Sequence, residues 1–107
     1  MSQLILILTT MPDDDRAGSI ARTLVEERLA ACVNVHAPMT STYRWKGAVQ
    51  REAERQVVIK TTAGRRAALE TRLRELHPYE LPELVVLTAD ASAAYAAWVS
   101  GETAEQA

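Results

Sequence analysis

The spacing of the apolar positions changes along the chain, and each spacing predicts one type of secondary structure. Residues 4–8 are five consecutive aliphatic side chains, a run typical of a strand that is buried on both faces. One face of a first helix is marked by Ala17, Ile20, Ala21, Leu24 and Arg28, and apolar residues recur at helical spacing again over residues 69–76. Strand formers dominate residues 31–45 and 49–61, with Gly47 at the turn between them. The pattern therefore predicts a strand, a helix, a long hairpin and a second helix.

Residues that begin and end helices set the limits of these elements. Pro12 and the acidic run 13–15 begin the first helix, because carboxylates stabilise the positive end of the helix dipole. Thr62 caps the second helix, which starts directly after it. Pro78 disfavours helical geometry at His77, so the second helix is predicted to end there.

The last part of the chain adds one strand and one short helix. The apolar run 84–87 predicts the fourth strand, and either Asp90 or Ser92 caps the helix that follows. The tail after about Gly101 is predicted to be frayed. The apolar stripe of this third helix consists of Tyr95, Trp98 and Val99.

The element order predicts an α+β fold, a ferredoxin-like βαββαβ sandwich with a short C-terminal helix, in one domain over residues 1–107. Helices on one face leave the other face of the apolar strands open. The strand predicted over residues 31–45 would be about 45 Å long, at roughly 3.3 Å per residue. It must therefore bend near Pro38 or reach past the edge of its own subunit. Both features predict a homo-oligomer.

Composition and charge narrow the classes of partner. Of the 107 residues, 48% are hydrophobic and 24% charged, as in an ordinary globular domain. The formal net charge of -2, with scattered basic residues, counts against nucleic acid as a partner. No apolar run reaches the roughly 18 to 20 residues of a membrane span, and no signal peptide is indicated. The single cysteine, Cys32, is predicted to pack in the core of a reduced, cytoplasmic protein.

Five short stretches together resemble a known family. Residues 27–35, 43–47, 59–61, 77–84 and 95–98 read ERLAACVNV, YRWKG, IKT, HPYELPEL and YAAW. In this order and at these separations they resemble the CutA divalent-cation tolerance proteins, over residues 3–101. The resemblance implies a tightly packed homotrimer of ferredoxin-like subunits, joined by the long hairpin strands and similar in architecture to the nitrogen-regulatory signalling proteins. It also implies a role with copper or other divalent cations.

The resemblance directs attention to His77 as a candidate metal ligand, since imidazole suits Cu(II). Further candidates from a neighbouring subunit are Glu80, Glu83 or His36. The metal-binding pattern associated with the family also uses a cysteine at the end of the first strand and a histidine before His77. These positions hold Thr9 and Leu76 here. The alternative interpretation is a helix-terminal histidine whose ring satisfies the last carbonyl groups of the helix.

A second set of residues could line a cleft between subunits. Aromatic walls, one cation and one acid suit a small anionic or amphipathic ligand. The alternative is that the aromatic residues anchor an interface in which the cation and the acid form an ion pair. The set consists of Tyr43, Trp45, Glu54, Lys60 and Tyr79.

The function predicted from the sequence is a trimer that binds copper, another divalent cation or a small ligand without catalysing a reaction. A structural, partner-binding or ligand-signalling trimer with incidental metal binding is the alternative. An enzyme using Lys60 and Glu54 is a third hypothesis, but Ser-His-Asp, phosphate-loop and paired-cysteine zinc patterns are absent from the sequence.

Overall fold

A computed structural model of the protein describes residues 2–105, which form one five-stranded antiparallel sheet and three helices. The order of strands across the sheet is β2-β4-β1-β5, and β3 pairs with β4. None of the helices within this part of the chain is long and apolar enough to cross a membrane. The elements are β1 (Ser2–Pro12), α1 (Arg16–Glu26), β2 (Cys32–Val35), β3 (Met39–Trp45), β4 (Ala48–Thr61), α2 (Arg66–Leu76), β5 (Val85–Ala91) and α3 (Ala93–Glu102).

The predicted βαββαβ order is confirmed, with the second strand divided into two. The strand predicted over residues 31–45 is interrupted at residues 36–38, where Pro38 lacks a backbone N–H for the ladder. The turn at the end of the hairpin has positive φ at Lys46 (49°) and Gly47 (82°), a conformation that glycine adopts without strain. The strand is therefore interrupted where the sequence predicts a bend, and the predicted turn is present.

The main core lies between α1, α2 and one face of the sheet. A row of aliphatic side chains crosses four strands, because Ile59 lies opposite both Ile7 and Val33, and Ile7 lies opposite Val86. The helices cover this row with their own buried residues, as the helical spacing of the sequence predicts. These helix residues are Ala17, Ile20, Leu24, Leu69 and Leu73.

The other face of the sheet remains largely uncovered. Alternation along β1 places Leu4, Leu6 and Leu8 on this face, and only Leu4 is buried, where α3 packs over it with Ala96 and Val99. The third helix thus covers one end of the face that the sequence predicts to be open. We call the rest of this face the open face. It consists of Leu6 and Leu8 of β1 and of their cross-strand neighbours Val58, Val85 and Leu87.

Two helix starts and one helix end differ from the predictions. Pro12 belongs to β1, so α1 begins at Arg16, whose backbone N–H donates to the Asp14 carboxylate (3.0 Å). The Thr62 side chain does not cap α2, because a backbone turn from Thr62 to Arg65 (3.1 Å) comes first. Arg28 lies beyond the end of α1 with φ of 59°, rather than on its apolar face.

The C-terminal helix is longer and its buried side is different from the prediction. Ser92 caps it by accepting the Tyr95 N–H (3.3 Å). Tyr95 and Trp98 are exposed, and the buried positions are Ala96 and Val99. The helix continues past Gly101 to Glu102, followed by a buried Thr103, so fraying does not begin at Gly101. Residues 106 and 107 lie outside the described residues.

Candidate functional site

His77 lies where α2 ends and its ring turns toward β1. The residue has extended backbone angles (φ -69°, ψ 132°), as the following Pro78 predicts, and only 8% of it is exposed. Its Nε2 lies 2.9 Å from the Thr10 carbonyl oxygen and 3.1 Å from Thr9 Oγ1. Its Nδ1 accepts the backbone N–H of Tyr79 at 3.1 Å. The ring therefore joins the helix end, the following loop and the first strand.

The hydrogen bonds of His77 determine its protonation. A nitrogen that accepts an N–H carries no proton, so Nδ1 is bare and the neutral ring carries its proton on Nε2, toward Thr10. Burial lowers the pKa of His77 below its usual value, although the Thr10 hydrogen bond and the Glu54 charge act in the opposite direction. Both ring nitrogens are engaged by the loop and by β1. The ring does not satisfy the last carbonyl groups of α2, as one interpretation of the sequence held.

Tyr79 forms the second contact of the same loop. Its hydroxyl donates to Oε2 of Glu54 at 2.6 Å, and Glu54 is only 7% exposed. Burial and the hydrogen bond to Glu54 raise the pKa of the Tyr79 hydroxyl well above its usual value. The phenol therefore stays protonated and serves as the donor for a buried carboxylate.

Glu83 forms the third contact. The side-chain amide of Gln56 donates both to Oε2 of Glu83 (3.0 Å) and to the Thr9 carbonyl oxygen (2.7 Å). The segment 77–84 is therefore held to β1 and β4 at its start, middle and end, through His77, Tyr79 and Glu83. We call this segment the junction loop.

The predicted metal ligands are placed as follows. His77 and Glu83 have protein partners, and Glu80 is exposed on the junction loop. Thr9, at the position where the family pattern has a cysteine, does lie against His77. Across residues 2–105 no three or more histidine, cysteine, aspartate or glutamate side chains are grouped so that they could hold a metal ion.

Four of the residues predicted to line a cleft share a face of the sheet but do not form a single site; they are Tyr43, Trp45, Glu54 and Lys60. Glu54 and Tyr79 are in contact, whereas Lys60 is six residues farther along β4, roughly 20 Å away at about 3.3 Å per residue. The Lys60 ammonium lies 5.9 Å from the ring centre of Tyr95. Trp45 is at the far end of the hairpin, opposite Ala48. One chain alone therefore does not assemble the predicted cleft.

Two other residues depart from what the sequence indicates. Cys32 is half-buried and lies opposite Lys60, rather than in the core. Arg28 lines two shallow concavities of about 360 and 290 Å³ at the ends of α1 and α3, and its Nη1 lies 3.4 Å from the Glu102 carbonyl oxygen. A left-handed position after a helix normally signals glycine, so no sequence signal indicates this arginine's place.

Replacing Tyr79 by phenylalanine is expected to lower the free energy of unfolding by about 2 kcal/mol, because Glu54 stays buried without its donor. Urea unfolding at a single protein concentration measures this loss. In Glu54→Gln the amide oxygen still accepts the Tyr79 hydroxyl, so that variant should lose less than half as much. A Tyr79→Phe protein as stable as the wild type would show that the contact contributes little.

Comparison with known proteins identifies the family. A family profile described as CutA1 divalent ion tolerance protein matches residues 5–102. The divalent-cation tolerance protein CutA of Thermus thermophilus is 42% identical over 99 residues, covering 92% of this chain and 96% of its own length. The protein of the same name from Pectobacterium atrosepticum is 43% identical over 83 residues, covering 78% and 76%.

Solved structures agree with this relationship. CutA from Synechococcus elongatus superposes with a TM-score of 0.90 and 43% identity, covering 97% of this chain and 93% of that one. A PII-like protein CutA from Nostoc, in its apo form, has a TM-score of 0.87 and 43% identity, covering 94% and 97%. This chain therefore belongs to the CutA1 divalent ion tolerance protein family.

Proposed function

We propose that this chain acts in tolerance to divalent cations, copper among them, as a cytoplasmic homotrimer that binds rather than catalyses. The family supplies the relation to divalent cations. The observation that carries the assembly is the open face of the sheet.

The open face exposes large apolar side chains beside one another. Val85 and Leu87 are 44% and 45% exposed, and they lie opposite Leu8 and Leu6, respectively. Contiguous exposed apolar surface of this kind marks an interaction site. A further copy of the chain is the simplest cover, because it brings an identical apolar surface.

The outer half of the hairpin supports the same assembly. Residues 48–53 of β4 have strand partners only in β3 among the described residues, and most of β3 is exposed. This part of the hairpin extends beyond β1 and leaves unpaired backbone groups along its edge. Pairing with the sheet of a neighbouring subunit would satisfy those groups.

The bound cation is proposed to lie between subunits. His77 offers no free lone pair to a cation, because Nδ1 accepts the Tyr79 N–H and Nε2 donates to the Thr10 carbonyl oxygen. We therefore expect the cation to be held by side chains that meet only when copies of the chain adjoin, with His77 serving the loop.

Calorimetric titration with Cu(II) tests this proposal, with solution mass measured in parallel. Wild-type trimer is expected to give saturable heat at one site per subunit or one per trimer, and His77→Gln should retain it. A wild-type titration without saturable heat would contradict cation binding. Saturable heat in the wild type that is lost in His77→Gln would instead place the cation on the His77 ring.

A small-ligand sensor is the second candidate function, favoured by the description of the Nostoc relative as PII-like. Trp45 and Lys60 share the sheet face with Glu54 but are far apart within one chain, so a cleft containing them would form only between subunits. Saturable heat from a small organic anion, lost in Lys60→Gln, would favour this function over cation binding.

A further inference from the structure

A concavity of about 360 Å³ lies where the end of α1, the start of α2 and the tail after α3 meet. We call it the arginine concavity, because two arginines from separate parts of the chain line it. Arg28 follows α1 and Arg65 precedes α2, and neither belongs to the junction loop or to the open face. The volume lies at the lower end of the range for small-molecule pockets. The lining residues are Glu26, Glu27, Arg28, Arg65, Ala104 and Glu105.

The guanidinium group of Arg65 is held on one side and open on the other. The side chain is only 16% exposed, and its Nε donates to the Arg28 carbonyl oxygen at 3.4 Å. Its Nη1 donates to Oε1 of Glu105 at 2.8 Å. Within residues 2–105 the Nη2 group has no hydrogen-bond partner, and it is not sealed from solvent. Arg65 therefore presents further donors to a ligand in the arginine concavity.

The backbone of Arg28 is strained, and this strain shapes the arginine concavity. Its φ of 59° is left-handed, a conformation that costs free energy in a residue with a Cβ atom and that glycine usually supplies after a helix. The turn brings the Arg28 carbonyl oxygen to Arg65, while the Arg28 side chain lines the concavity and its Nη1 lies 3.4 Å from the Glu102 carbonyl oxygen. A strained residue of this kind is a reason to look for a binding function.

Two of the three lining carboxylates already have arginine partners on the helices. Glu27 accepts from Nε and Nη2 of Arg72 at 2.9 and 3.0 Å. Glu26 accepts from Nε of Arg22 at 2.6 Å. The remaining lining acid is Glu105, whose side chain is 79% exposed on the tail. The first turn of α2 has no acidic residue and no side-chain cap, so the positive end of its dipole adds to the attraction for an anion.

We propose that the arginine concavity binds the phosphate group of a small phosphate ester through Arg65, and that the Glu105 carboxylate takes its place when no ligand is bound. Glu105 engages one nitrogen of Arg65, whereas two phosphate oxygens can engage Nη1 and Nη2 together, the bidentate arrangement that guanidinium groups favour. Thr103 is buried and its hydroxyl donates to the Val99 carbonyl oxygen at 2.8 Å, so the tail is anchored two residues before Glu105. Glu105 is therefore a tethered competitor in an exposed ion pair that a better ligand can displace.

Titration with glycerol 3-phosphate, followed by nuclear magnetic resonance at constant ionic strength, tests the site. In the wild type the Arg65 Nε–H and the Ala104 amide should shift and reach saturation. Arg65→Gln is expected to raise the dissociation constant at least about tenfold, because the charged fork is lost. Glu105→Gln should lower it about threefold, because the tethered competitor is removed. Arg66→Gln, the matched control at the next arginine, which pairs with Glu70 on α2, should keep the wild-type affinity.

Shifts that rise without saturation in both the wild type and Glu105→Gln would overturn the phosphate site. An equal loss of affinity in Arg65→Gln and Arg66→Gln would overturn it too, because general electrostatic attraction would then explain the binding. Inorganic phosphate, titrated in the same way, should bind more weakly than the ester; equal or tighter binding would contradict the assignment to an ester. Because Glu105→Gln alters only an exposed tail residue, it decides the proposal even if Arg65→Gln does not fold, and an unchanged affinity there would remove the tail as competitor.

Discussion

A lysine in place of Leu87 is expected to dissociate the oligomer while leaving each chain folded. Leu87 is 45% exposed in the single chain, so the ammonium group can reach water in a monomer. If copies cover the open face, the same charge is buried in every subunit without a partner, at a cost of several kcal/mol each. The apparent dissociation constant should therefore rise by at least about a thousandfold.

Val25→Lys is the matched control for this experiment. Val25 is 41% exposed, close to the value for Leu87, but it lies on α1 rather than on the open face. Light scattering across a range of concentrations gives the mass, and circular dichroism verifies the fold. Retention of the wild-type mass in Leu87→Lys would remove the open face from the interface. Dissociation of both variants would extend the interface to α1.

Truncating Ile59 to alanine is expected to have the largest effect on the stability of the subunit itself. The residue is 0% exposed and lies opposite both Ile7 and Val33, so the lost methyl groups leave a cavity in the middle of the cross-strand row. Such truncations cost about 2–5 kcal/mol. Since a domain is stable by only about 5–15 kcal/mol, we expect a loss of about 4 kcal/mol and a much lower unfolding midpoint.

Urea unfolding should be measured in the Leu87→Lys background, because the stability of an oligomer depends on protein concentration. Leu81→Ala is the control: this leucine is 70% exposed on the junction loop, and its truncation should change the unfolding free energy by less than about 0.5 kcal/mol. Comparable losses in the two variants would contradict the assignment of the core.

Much of the fold could be predicted because its signals are local. The aliphatic run of β1, the turn at Gly47 and the end of α2 at His77 depend on a few neighbouring residues. The predicted start of α2 was wrong, because a backbone turn rather than a side-chain cap precedes the helix. Thr62 suits a helix cap, yet a turn that ends at Arg65 precedes α2.

The position of the candidate site was predicted from the sequence, but the hydrogen-bond partners of its side chains were not. The candidate residues His77, Tyr79 and Glu83 already marked the junction loop in the sequence. The partners of His77 are Thr9 and Thr10, 67 to 68 positions earlier in the chain, and nothing local identifies them. An imidazole that suits Cu(II) in isolation has Nε2 engaged by β1 in the folded chain, while the Tyr79 N–H of the loop engages Nδ1.

The sequence by itself determined the order of elements, the apolar character of both sheet faces and the family of the protein. These properties follow from residue spacing and from short ordered stretches. The tertiary structure alone decided that α3 covers only one end of the open face, that Lys60 is distant from Glu54, and that His77 is neutral. Burial and hydrogen-bond partners arise only when distant segments meet, because the same side chain has a different pKa and different free lone pairs in each environment.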